Sequence, residues 1–133
     1  MKIAEVSEKF GLSVDTLRYY ERVGLIPPVH RNQGGIRDYD ELDLRRVDFI
    51  KCMRGASLPV EVLIDYMALV QRGDSTIEAR KEILVEQRDL VAARLEEMQK
   101  TLERLNYKIE VYEKALLKIE KEIVQVEELM AGD

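Results

Sequence analysis

The stretch Ile3-Ala4-Glu5-Val6-Ser7-Glu8-Lys9-Phe10-Gly11-Leu12-Ser13-Val14-Asp15-Thr16-Leu17-Arg18-Tyr19-Tyr20-Glu21-Arg22-Val23-Gly24 decides how the chain is read. Ile3, Val6 and Phe10 recur at helical spacing, so they form the apolar stripe of a short helix that Gly11 stops. Ser13 is a capping residue with Asp15 in the turn behind it, which predicts a second helix from Val14 to the glycine at 24. Two short helices joined by Gly11-Leu12-Ser13 make a helix-turn-helix, the motif whose second helix enters a DNA major groove. Leu17 and Tyr20 are predicted to face inward. Thr16, Arg18, Tyr19 and Arg22 are left on the outer face, where arginine suits guanine edges or phosphates and tyrosine suits phosphates.

Downstream, Pro27-Pro28-Val29-His30-Arg31-Asn32-Gln33-Gly34-Gly35-Ile36-Arg37-Asp38-Tyr39 cannot be helical, and Gly34-Gly35 reads as the turn of a β-hairpin. From Arg18 to Arg37 four arginines stand against one acid, Glu21, so positive charge gathers where a groove-reading helix and a flanking wing would lie. The bland alternative is a solvated hairpin. Asp40 caps a third helix, with acids at Glu41 and Asp43, bases at Lys51 and Arg54, and Gly55 at its end. Pro59 opens a fourth helix that closes at Gly73. That helix has two apolar faces, Val60, Leu63, Ile64 and Met67 on one, and Val62, Tyr66 and Leu69 on the other.

All three prolines and six of the seven glycines precede Asp74. Charge divides at the same place: Met1–Gly73 has eleven basic and eleven acidic side chains, so the whole formal charge of −5 falls on 74–133. In that second part Ile77, Leu84, Val91, Met98, Leu105, Tyr112, Ile119 and Val126 repeat every seven residues. Leu95, Leu102, Ile109, Leu116, Ile123 and Met130 follow the later members by four. Such a seam predicts one long helix in a coiled coil, with Ser75 and Glu78 as its capping box. With no Gly or Pro to fold it back, its partner is expected to be a second copy of the chain.

Composition removes several classes. One Cys permits no intrachain disulfide, and one Cys with one His cannot close a tetrahedral N/S metal site within one subunit. No metal, cofactor or catalytic residue is expected. No apolar run nears the ~20 residues of a membrane span. Glu5 and Glu8 interrupt the only apolar stretch near the start, which leads to the expectation of a cytoplasmic protein without a signal peptide.

Thr16-Leu-Arg-Tyr-Tyr-Glu21, then Gly24-Leu-Ile-Pro-Pro28, closely resembles the MerR family of transcription regulators. So do Arg31, Arg37-Asp38-Tyr39-Asp40, Phe49-Ile50-Lys51 and Arg54, so that the resemblance covers Met1 to about Gly73. It implies a mainly α fold: a winged helix-turn-helix head over 1–73, and a dimerising helix over 74–133 that forms an antiparallel coiled coil. It further implies a homodimer on a double-stranded promoter with an over-long spacer, distorting it so that RNA polymerase can engage. Carried over to this chain, Arg18 and Tyr19 contact bases or phosphates, and Arg37 and Tyr39 grip the backbone from the wing. Ile36 departs from the aromatic residue common at that place. Metal-sensing members keep cysteines near the end of the long helix, where this chain has none. Cys52, on the third helix, instead resembles the aldehyde- and nitrosative-stress-responsive branch. From the residues alone, Cys52 shares a helix face with Phe49 and Ala56, and a packed free Cys is more often an inert hydrophobe than a sensor. Two other readings remain open: a coiled-coil adaptor whose head binds protein, and a regulator whose Cys52 is purely structural. A Cys52 enzyme lacks a base, since His30 stands on another element.

Overall fold

The computed structural model of the 133-residue chain describes residues 1–132. Its elements are α1 (Ile3–Phe10), α2 (Val14–Val23), α3 (Glu41–Gly55), α4 (Val60–Gln71), a 3-10 turn (Asp74–Thr76) and α5 (Ile77–Ala131). The chain forms two compact units, Met1–Asp89 and the residues from Leu90 on.

In the first unit α1 and α2 each end at a glycine for a local reason. Gly11 takes φ 65° and returns its N–H to the Ser7 carbonyl, and Gly24 does the same at φ 87° over Tyr20 and Glu21. These left-handed positions cost a residue with a Cβ ~1–2 kcal/mol, which is why glycine stands at both. The Ser13 side chain accepts the Thr16 N–H at 3.0 Å, as an N-cap should. Asp40 and Asp43 cap α3 reciprocally, each carboxylate taking the other's backbone N–H at 2.8 and 3.0 Å. Burial pushes the Asp43 carboxyl above its usual range against the Asp40 N–H bond that favours the charged form.

The end of α3 falls where the sequence reading puts it, and the start of α5 does not. Gly55 is the last residue of α3, and the left-handed residue is Ser57 at φ 67°. The helix α5 is entered through the 3-10 turn, and the Thr76 hydroxyl donates toward the Leu69 and Gly73 carbonyls at the end of α4 instead of capping the first turn of α5. Arg80 reaches back to the same Thr76 oxygen and Gly73 carbonyl. Thr76 is buried because α4 ends directly over it.

The core of the first unit is Val6, Leu17, Tyr20, Leu25, Ile26, Val29, Tyr39, Val47, Ile50, Leu58, Leu63 and Met67. Leu17 and Tyr20 face inward, as their spacing predicts. The Leu25-Ile26 pair is held over α2 by bonds from both N–H groups to the Tyr20 carbonyl. Phe49 and Tyr66 bring α3 and α4 together with ring centroids 5.6 Å apart. Lys51 donates to the Phe10 carbonyl, tying α3 to the end of α1.

The hairpin expected at 27–39 is present in reduced form. One antiparallel bridge, Arg31 to Arg37, replaces the two expected strands, and among the described residues no strand is formed. Asn32 explains the shape. Its side-chain oxygen accepts the Gly34 and Ile36 N–H groups at 2.9 and 3.1 Å, while its own N–H donates to the Ile36 carbonyl. An Asx turn so satisfied leaves little ladder to extend.

The described part of the second unit is the continuation of α5, to its end at Ala131. Leu95, Met98, Leu102, Leu105, Ile109, Tyr112, Leu116, Ile119, Ile123, Val126 and Met130 lie exposed along it, the same residues that the repeat of seven picks out. No helix among the described residues is long and apolar enough to cross a membrane.

Candidate nucleic-acid interface

The outer face of α2 carries the residues expected there. Arg18 and Arg22 are exposed, and Thr16 and Tyr19 are half-buried. The Arg18 guanidinium lies 3.6 Å from Asp15, a solvent-exposed pair that holds it only weakly. Arg22 leans over the Tyr19 ring at 5.6 Å, which orients both side chains without consuming the guanidinium's hydrogen bonds. The Thr16 hydroxyl is 2.8 Å from that of Ser13 and therefore shares the N-cap. The structure thus presents two uncommitted arginines and an aromatic edge on one helix.

The wing differs from its sequence reading at both residues assigned to DNA. Tyr39 is 2% exposed, and its hydroxyl is buried without a hydrogen-bond partner. Burial raises its pKa, against the opposing influence of Arg37. A tyrosine so enclosed offers no donor to a phosphate in this conformation. The family resemblance implied a backbone contact for Tyr39; instead the chain past Arg37 turns into the core, where the Tyr39 N–H donates to the Met1 carbonyl at 2.8 Å.

Arg37 is also committed. Its guanidinium Nη2 donates to Glu21 Oε2 at 3.2 Å, and Nε lies 3.3 and 3.4 Å from the two carboxylate oxygens. Both side chains are largely shielded, at 18% and 16% exposure. Glu21 Oε1 additionally accepts the Val29 N–H at 2.9 Å. Burial by itself raises the Glu21 pKa, but the Val29 bond, Arg37 and Arg31 overcome it and leave the carboxyl below its ordinary value.

Arg31 donates to the Gly35 carbonyl at 2.9 Å and stays exposed. The residues that shape the wing are therefore Glu21, Asn32 and Arg31. The sequence reading missed the first two. A lone acid among four arginines, and an Asn two residues before Gly-Gly, were the available signals.

Cys52 lies in the last turn of α3 and is exposed, as is Ala56, while Phe49 is half-buried. The helix face shared by these three is therefore not a packed face at Cys52, because α3 turns its inner side, Val47 and Ile50, to the core.

A helix-turn-helix pair whose second helix shows free arginines beside a turn-stabilised wing defines a DNA-binding regulator of the helix-turn-helix class. Comparison with known proteins makes this particular. The family model for MerR HTH family regulatory proteins matches residues 1–70, and that for MerR DNA binding matches 44–107. The HTH-type transcriptional regulator AdhR of Bacillus subtilis is 60% identical over 88 residues, which is 66% of this chain and 63% of that protein. A MerR family transcriptional regulator of Listeria monocytogenes has a similar structure, with a TM-score of 0.87 at 48% identity over 92% of this chain and 93% of that one. HiNmlR, a MerR family regulator lacking the sensor domain and bound to promoter DNA, has a TM-score of 0.79 at 31% identity, over 86% of this chain and 90% of its own. This chain belongs to the MerR family of transcriptional regulators and is a DNA-binding member of it.

Proposed function

We propose that the chain works in the cytoplasm as a homodimer on a pseudo-palindromic promoter with an over-long spacer, distorting the duplex so that RNA polymerase can use it. Residues 1–73 are the reading head, with Thr16, Arg18, Tyr19 and Arg22 toward the groove, and the helix of 74–133 pairs antiparallel with its counterpart. The observation that carries the reading is the free guanidinium pair on α2, in a fold similar to a relative whose structure holds promoter DNA. The exposed apolar seam from Leu95 to Met130 supports the second copy, since a stripe of that length is stable only when covered. Aldehyde or nitrosative stress enters, in this proposal, through the exposed Cys52 thiol, which an electrophile can reach without opening the core.

Selection of bound sequences from a random duplex library tests the first part. Two half-sites related by a dyad are expected, with affinity falling steeply as salt rises. Recovery of no preferred sequence would count against it. For the sensor, a reporter promoter is exposed to formaldehyde or a nitrosothiol in cells carrying Cys52→Ser. A full response from a variant that still folds and binds would remove Cys52 from sensing.

A further inference from the structure

We propose that Glu21 is the positioning residue of the wing: it clamps Arg37 and the Val29 backbone to α2, and Arg37 stays on Glu21 when the duplex is bound. The inference rests on the DNA-binding reading above and concerns how that surface is held.

Glu21 is out of place electrostatically. It is the only acid between Arg18 and Arg37, on the element proposed to face a polyanion, where a carboxylate opposes binding. Its geometry shows what it does there. One oxygen takes the Val29 N–H on the outgoing limb of the wing, and the carboxylate as a whole takes Nε and Nη2 of Arg37 on the returning limb. A single side chain of α2 therefore holds both limbs.

The wing needs such a tether. It has one bridge, Arg31 to Arg37, and a turn organised by Asn32, whereas an isolated hairpin is marginal in water even with a full ladder. Moving Arg37 to a phosphate would strand a largely shielded carboxylate on α2, at the cost of an unpaired charge. Arg18, Arg22 and Arg31 are exposed and can meet phosphate without that loss.

The clamp and a phosphate-gripping Arg37 predict opposite signs. Neutralising Glu21 frees Arg37 and removes a negative charge, so if Arg37 served phosphate, Glu21→Gln would tighten binding to every duplex. Under the clamp Glu21→Gln weakens binding to the selected operator roughly tenfold, leaves random duplex unchanged or tighter, and loses hydroxyl-radical protection at the outer flanks of the site. Arg37→Gln gives the second reading. With the clamp, operator affinity falls at an unchanged salt slope, whereas loss of a phosphate contact lowers that slope by about one.

Thermal melting by circular dichroism shows whether each variant is folded. Should Glu21→Gln not fold, Arg37→Lys, which keeps the charge but not the forked hydrogen bonding, carries the same test, with weaker operator binding at an unchanged slope. Operator binding by Glu21→Gln as tight as wild type, or tighter, with flank protection intact, overturns the clamp and leaves the DNA reading standing. A wild-type protein that selects no operator removes both.

Discussion

Replacing Leu105 with lysine places a charge in the middle of the exposed seam, and the cost can be worked from the structure. Leu105 is 55% exposed in the single chain, so pairing has about half of its side chain left to cover. Full burial of a leucine is worth about 1.5–3 kcal/mol, so the uncovered part contributes about 0.8–1.7 kcal/mol per copy and twice that per dimer. The lysine stem lies along apolar surface while its ammonium reaches water, which keeps the loss near this range instead of adding the full cost of a buried charge. At about 1.4 kcal/mol per tenfold, the dimer dissociation constant should rise roughly 15- to 200-fold. Sedimentation equilibrium over a range of protein concentrations measures it directly, with Glu103→Lys, off the seam, as the control. Operator affinity should fall with dimer population, because one head reads one half-site. A Leu105→Lys protein that sediments as wild type at every concentration would refute the reasoning and place the seam outside any interface.

Arg18→Ala should cost about 1–3 kcal/mol of discrimination between operator and scrambled duplex if the guanidinium pairs with a base, with the dimer intact. Equal loss on both duplexes in a titration would make it a phosphate contact instead. Tyr39→Phe should leave the salt slope of DNA binding unchanged and hold or raise the melting temperature, since it removes a buried hydroxyl that has no partner; a lower slope would return Tyr39 to the phosphate backbone. Acid should loosen the wing. Glu21 faces Arg37, Arg31 and Tyr39, and its pKa is lowered from 4.5, so its contribution is fully present above that value and is lost as pH falls through the lower, folded one. Amide exchange at Asn32 and Asp38, corrected for intrinsic rates, should quicken only in that acidic window, and wing amides indifferent to it would contradict the assignment.

Much of the fold was legible along the chain because local signals agreed. Glycines at 11 and 24 sit where left-handed turns were needed, Ser13 and Asp40 cap the helices they precede, and the repeat of seven in α5 marks the stripe that lies exposed. The outer face of α2 followed from the spacing of Leu17 and Tyr20, which fixes the helix rotation and with it Arg18 and Arg22. Each of these depends on residues within about a turn or two of one another.

What the tertiary structure alone decided involves residues far apart in sequence or a choice between near-equal local options. Glu21 and Arg37 are sixteen residues apart, and no periodicity says that one will accept from the other. Tyr39, to which the family resemblance gave a backbone contact, is buried where the chain past Arg37 meets the core. Past α3, which ends at Gly55 as expected, the chain takes its left-handed turn at Ser57, a non-glycine residue, just before the buried Leu58. Cys52 faces solvent because α3 has apolar residues on more than one side, and packing against its neighbours chose Val47 and Ile50. Sequence sets which residues form a helix and roughly which face is apolar. Which charged groups meet, and which of several apolar faces is covered, is decided by the summed packing of elements that the local chain cannot sense.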